Sequence, residues 1–266
     1  MSSHDTRTPG PGTFVPDPGA APLGRQVLAQ ARMETRLMLR NGEQLLLAVV
    51  IPLIVLVGGV LAADRIGLDF PVGTVDTLAP GVIALAVMST SFTSLAIATG
   101  FERRYGVLKR LGTSPLPRAG LLAGKVGALL LVELQQLVVI ALAAAALGWT
   151  PVLSATSVAA AAAFVLVGTA AFASLGLLLA GTLRAEATLA AANLVYLLLM
   201  AGGAVVIPAE SYGALAPALE LLPSGALGSG IRAALIDGTL SVVPLLVLAA
   251  WAAAGAALTS RTFTWE

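Results

Sequence analysis

Six stretches of this chain are almost purely apolar: residues 45–63, 78–99, 121–147, 158–183, 187–207 and 240–258. Each is close to or above the roughly 20 residues an α-helix needs to cross the hydrocarbon core of a bilayer. Ten-residue segments of strict alternation are absent, so the pattern predicts spanning helices and excludes a β-barrel. Ahead of these runs, residues 23–43 carry a different pattern. On a wheel of about 100° per residue, Arg25, Arg32, Arg36 and Arg40 share one narrow sector, and Leu23, Val27, Ala31, Leu37 and Met38 gather opposite. That predicts an amphipathic helix lying in the headgroup layer. Glu34 falls within its apolar face, either as a tolerated surface acid or as a partner for a base in the 101–118 segment. Residues 1–22, with five prolines, predict a disordered tail. They contain no signal-peptide core, so the first span is expected to remain as an anchor. Residues 44–266 then form one transmembrane domain.

The polar breaks between the runs differ in kind. Asp64, Asp69 and Asp76 make the first outer loop acidic, and Trp149 marks the second as an interfacial anchor. The third, residues 208–239, contains two apolar pieces, 214–222 and 224–235, separated by Pro223 and too short to span. They predict a pair of short helices that dip into the outer leaflet or lie on it. Between the second and third runs sits a segment with no place in hydrocarbon, from Phe101-Glu102-Arg103-Arg104-Tyr105-Gly106 through Leu108-Lys109-Arg110-Leu111 to Ser114-Pro115. Four bases and one acid interleaved with leucine and valine predict a short amphipathic helix on the membrane surface.

Composition sharpens this picture. Of 266 residues, 58% are hydrophobic and 11% charged, against about 25% charged in an ordinary soluble domain; the class is integral membrane protein. A net charge of +1 gives no bias towards nucleic acid. The chain has no cysteine, which excludes thiolate chemistry, and its one histidine, His4, lies in the tail, which argues against a metal site. Thirteen of the 15 Lys and Arg residues fall on the side of the termini and the 101–118 loop; Arg65 and Arg232 fall on the other. By the positive-inside rule, both termini and that loop are expected to face the cytoplasm, and an even number of spans agrees by placing both termini on one side.

Polar residues inside the runs are candidates for function. Glu133 lies near mid-bilayer in the third run, with Gln136 on the same face at i+3. They line an export path or fix packing by interhelical hydrogen bonds. Asn193 and Tyr196 pair at i+3 in the fifth run and are further candidates for a groove. Ser89, Thr90, Ser91, Thr93 and Ser94 in the second run favour close helix packing.

Taken in order, these features resemble the membrane-spanning permease of a type-2 ABC exporter. The resemblance rests on Glu102-Arg103, Gly106, Leu108, Lys109, Leu111, Ser114-Pro115 and Gly124-Lys125, and on Leu222-Pro223-Ser224, Gly230, Arg232 and Leu235 before the last span. It implies six spans, a coupling helix, a re-entrant outer pair and a dimer with a second copy or paralogue. Each permease would dock on a separate ATPase subunit that holds ATP and Mg²⁺. The nearest thing to a phosphate loop here is Gly120–Val126, which has three residues between its glycines, no Ser or Thr after Lys125 and no preceding strand. It reads as a small-residue helix start with a snorkelling lysine. The resemblance further implies that Phe101, Glu102, Arg103, Arg104, Tyr105, Gly106, Leu108 and Lys109 grip the ATPase, and that a hydrophobic drug-like or lipidic compound leaves a bacterial plasma membrane. The chain itself would be no enzyme and would hold no cofactor. Two rivals are a stand-alone carrier driven by an ion gradient and a membrane-embedded enzyme. The first calls for more intramembrane acids than Glu133, the second for His or Asp in the spans.

Overall fold

A computed structural model describes residues 21–40, 42, 46–67, 70–107, 110 and 117–262. Among these the protein is helical, without strands. In chain order the helices are α1 (Leu23–Arg40), α2 (Ile51–Ile66), α3 (Thr74–Arg104), α4 (Arg118–Ala146), α5 (Ala155–Thr182), α6 (Ala185–Gly202), α7 (Ala216–Glu220), α8 (Pro223–Leu235) and α9 (Val242–Thr262). Of these, α3, α4, α5, α6 and α9 are long and apolar enough to cross a bilayer, and Ala48–Ala63 is a shorter apolar helix. Residues 1–20 of the tail expected at 1–22 lie outside the described residues, as do 41, 43–45, 68–69, 108–109, 111–116 and 263–266, and with them Asp69, Leu108, Lys109, Leu111 and Ser114-Pro115.

α3 is the axis of the fold. Its apolar stretch is 89% buried, against 11% for α9 and 33% for α4 and α5. A helix that is apolar on every side has to be surrounded by protein or lipid; here protein surrounds α3, and the others turn one side outward. At about 1.5 Å per residue its 31 residues measure about 46 Å, well beyond a hydrocarbon core of about 30 Å. One end, at Glu102–Arg104, therefore emerges into a polar layer.

Two π-helical turns interrupt the apolar run, Leu46–Val50 ahead of α2 and Ser89–Ser94 within α3. In the second, Ser91 Oγ donates back to Val87 O at 2.5 Å. Such hydroxyl-to-carbonyl bonds compete with the helix ladder, so Ser-Thr-Ser-Phe-Thr-Ser is a sequence prone to this widening. Small residues permit the contacts around it. A side chain at Gly176 of α5 would meet Phe92 O at 2.8 Å, and one at Gly168 would meet Leu227 of α8 at 2.6 Å. α9 lies along α5, with Thr259 Oγ1 on Ser174 O at 3.0 Å.

Several boundaries differ from the sequence expectation. The fifth run was expected to be helical to 207, but α6 ends at Gly202, and 203–207 is an irregular, mostly buried strip. Hydropathy cannot separate a buried helix from a buried bend; Gly202-Gly203 was the local signal. The two short outer helices do not divide at Pro223. Pro223 is the first residue of α8, where its missing N–H costs nothing. Nor does α8 lie on a surface: it is wedged between α3, α5 and α9, almost wholly buried. Its partner is a 3-10 turn (Ala209–Leu215) followed by the short α7.

Candidate functional site

Three consecutive residues at the end of α3 hold three other elements directly and a fourth through Lys125. Glu102 accepts from Lys125 Nζ, near the start of α4, at 2.7 and 2.9 Å. Lys125 Nζ also lies 3.6 Å from Glu34 of α1, whose carboxylate accepts from Gln30 at 2.9 Å. Arg103 donates to Gly181 O at 2.6 Å and Leu183 O at 2.9 Å, at the C-terminal end of α5. Those carbonyls have no helical partner and carry the negative end of the helix dipole, so a guanidinium suits them on both counts. Arg104 pairs with Glu186 in the first turn of α6 and lies over the Tyr105 ring, 5.7 Å from its centroid.

The chain then turns. Phe101–Arg104 continue the spanning helix, and the break comes at Tyr105-Gly106, where Gly106 takes φ +66°. A new helical turn begins there, with Arg110 N–H donating to Gly106 O at 3.2 Å. Of the surface helix expected over 101–111, Phe101–Arg104 belong instead to the spanning helix, and the Glu102, Arg103 and Arg104 side chains are engaged within the chain. Lys125 does not snorkel; it is clamped, with its side chain 17% exposed between two carboxylates. Glu34 finds a base at the start of α4 rather than in the 101–118 loop, because Gly124 lets α1 approach. A Cβ at Gly124 would lie 2.6 Å from Gln30.

At the far end of α3 a second constellation was counted from sequence as a loop charge. Arg232 of α8 is buried, with Nη2 donating to Val205 O at 2.8 Å and to Val206 O at 2.5 Å, and with Nε 3.4 Å from Thr77 O. The irregular 203–207 strip is thus held by a guanidinium in place of its missing ladder. Ala204 takes φ +53° there, a strained conformation for a residue with a side chain. Gly81 and Gly228 make room: a Cβ on Gly81 would meet Val206 O at 2.5 Å and Arg232 Nη2 at 2.7 Å, and one on Gly228 would meet Val205 O at 2.7 Å. Burial lowers the Arg232 pKa to about 10, with Glu210 and Tyr212 opposing, so the group stays charged at neutral pH. The neighbouring motif residues serve the same region. Ser224 Oγ donates to Gly203 O at 2.8 Å, Gly230 leaves room for the Phe164 ring, and Leu235 O accepts from Val152 N–H at 2.8 Å.

The intramembrane polar residues split into separate contacts. Gln136 Oε1 accepts from Thr90 Oγ1 at 2.6 Å, and its Nε2 donates to Ala48 O and, at 3.4 Å, to Ala86 O. It therefore joins both π turns. Glu133, one turn earlier, instead accepts from Thr169 Oγ1 of α5 at 2.8 Å. Tyr196 is buried on α6 with its hydroxyl towards Ser89, and Asn193 lies one turn away, half-buried. Gln136 and Tyr196 thus reach the same π turn of α3 from different helices, while Glu133 turns away. Among the described residues no cluster of His, Cys, Asp or Glu could hold a metal ion.

Residues 69–261 match the family described as ABC-2 family transporter protein. The chain belongs to that family. It is accordingly an ABC transporter permease and a multi-pass membrane protein, and permeases of this family generally work with an ATPase subunit. No curated protein matches the chain. The matched region runs through α3, Arg232 and most of α9, and thus includes both ends of the α3 axis.

Proposed function

We infer that this permease exports a hydrophobic, drug-like or lipidic compound across a bacterial plasma membrane, driven by ATP hydrolysis on a separate subunit. In this reading it has six spans and works as a dimer with a second copy or paralogue, and both termini are cytoplasmic. The short apolar Ala48–Ala63 helix supplies the sixth span. ATP and Mg²⁺ sit on the ATPase, and this chain binds neither. The observation that carries the reading is the Glu102–Arg104 hub. The segment that leaves it at Gly106 is the one whose charges mark the cytoplasmic face, and the hub ties that segment to α1, α4, α5 and α6. A push on residues 105–117 from an ATPase is therefore delivered to four elements at once.

In this account Tyr105, Gly106, Leu108 and Lys109 face the ATPase, while Phe101, Glu102, Arg103 and Arg104 transmit what they receive. Glu133, Gln136, Asn193 and Tyr196 flank the path, with Gln136 pinning the two π turns. Such turns recur where helices do functional work.

Affinity purification of the tagged chain from its native membrane tests this reading. A stoichiometric ATPase bearing a phosphate-binding loop is expected to accompany it. A chain that transports in proteoliposomes under an ion gradient, with no ATPase bound, would be a secondary carrier instead.

A further inference from the structure

α1 has two faces with different surroundings. Ala31 and Glu34 are buried against α4, with Val27 and Met38 half-buried on the same side. A second apolar stripe, Ala29, Met33 and Leu37, runs at four-residue spacing and stays exposed, Leu37 by 59%. Beside it, at the same spacing, run Arg32, Arg36 and Arg40, also exposed, with Arg25 two turns earlier. Four residues rise about 6 Å, so three guanidinium groups form a ladder about 12 Å long beside the apolar stripe. A groove of about 470 Å³ is lined by Ala29, Arg32, Met33, Arg36, Leu37 and Arg40. None of these arginines has an acid within ion-pair distance among the described residues, and the helix's one acid, Glu34, points to the other face.

Two contacts fix the depth of this face. Gln30 and Ala31 meet α4 at Gly124, near the start of the apolar run that begins at Leu121. Six residues beyond Arg40 the chain enters the apolar π turn Leu46–Val50 and then α2. The exposed side of α1 therefore lies where hydrocarbon gives way to water. There an apolar stripe calls for acyl chains, and an unpaired guanidinium ladder calls for anions whose paired oxygens accept two parallel N–H bonds, as a phosphate does. A phospholipid with a net negative headgroup supplies both. We propose that the outer face of α1 is a binding site for anionic phospholipid, with Arg32, Arg36 and Arg40 on the headgroup phosphates and Ala29, Met33 and Leu37 against the upper acyl chains. Arg25 extends the ladder along the surface.

The test needs neither an ATPase nor a known transported compound, so its outcome is separate from the exporter reading. The full chain is purified in mild detergent with equal parts of phosphatidylglycerol and phosphatidylcholine, and retained lipids are counted by native mass spectrometry. The wild-type protein is expected to keep phosphatidylglycerol in preference, and Arg32→Gln/Arg36→Gln/Arg40→Gln to lose about tenfold of that preference. The triple lysine variant is expected to keep an intermediate share, because the charge remains but the fork is lost. In about 1 M salt, where the screening length is about 3 Å, the wild-type preference should collapse; this arm stands even if the variant fails to fold. Equal retention of the two lipids by the wild type would overturn the proposal. So would a triple glutamine variant that keeps phosphatidylglycerol but loses a protein partner, which would assign the face to that partner.

Discussion

The two ends of α3 are both held by arginines on backbone carbonyls, in opposite surroundings. At the far end Arg232 is sealed between Gly81 and Gly228, and its carbonyl partners belong to a strip with no other ladder. At the basic end Arg103 caps α5 between a largely buried cluster, Glu34–Lys125–Glu102, and one ion pair that water can reach; the Arg104 and Glu186 side chains are 49% and 62% exposed. A buried donor lost without replacement costs far more than an exposed ion pair lost to solvent. One end of the central helix is thus a fixed joint. The other joins a buried clamp to an exposed pair, Arg104–Glu186, that can exchange at low cost.

Substitutions at the two ends should separate these roles. The largest effect is expected for Arg232→Ala, which leaves the Val205 and Val206 carbonyls without donors and should cost about 3 kcal/mol. A thermal melt of the detergent-purified protein reads it. Gly81→Val should follow at about 2 kcal/mol from overpacking against Val206 O; a variant that melts like the wild type would show that the joint is loose. Lys125→Met strands Glu102 beside Glu34 at a largely buried site, and about 2 kcal/mol is expected. Its larger consequence should be functional, as lost stimulation of ATP hydrolysis. Arg104→Ala is expected to stay below about 0.5 kcal/mol, because its pair is exposed. A melt shift as large as that of Arg232→Ala would erase the distinction between the two ends.

How much of this was legible in the sequence follows the range of each signal. Five of the six apolar runs appear as helices long enough to span, and the first as a shorter apolar helix, because hydropathy is a local property. The charged segment after the second run was visible too, but not its division at Gly106; helix and surface loop carry the same charges there. Arg232 read as a loop residue because its carbonyl partners lie 26 and 27 positions away in sequence. Lys125 read as snorkelling for the same reason, with Glu102 lying 23 positions away. Glu34 was the one local clue, an acid misplaced on an apolar face that proved to point at Lys125. The π turns left only a run of hydroxyl residues, which also suits ordinary close packing.

The central claim is that ATP-driven work enters through the basic end of α3. A charge swap at Glu102 and Lys125 tests it most directly, with the ATPase hydrolysis rate measured in proteoliposomes that hold both subunits. Glu102→Lys and Lys125→Glu should each remove the stimulation that the permease gives its ATPase, and the double swap should restore much of it. Single variants that stimulate the ATPase like the wild type would contradict the account.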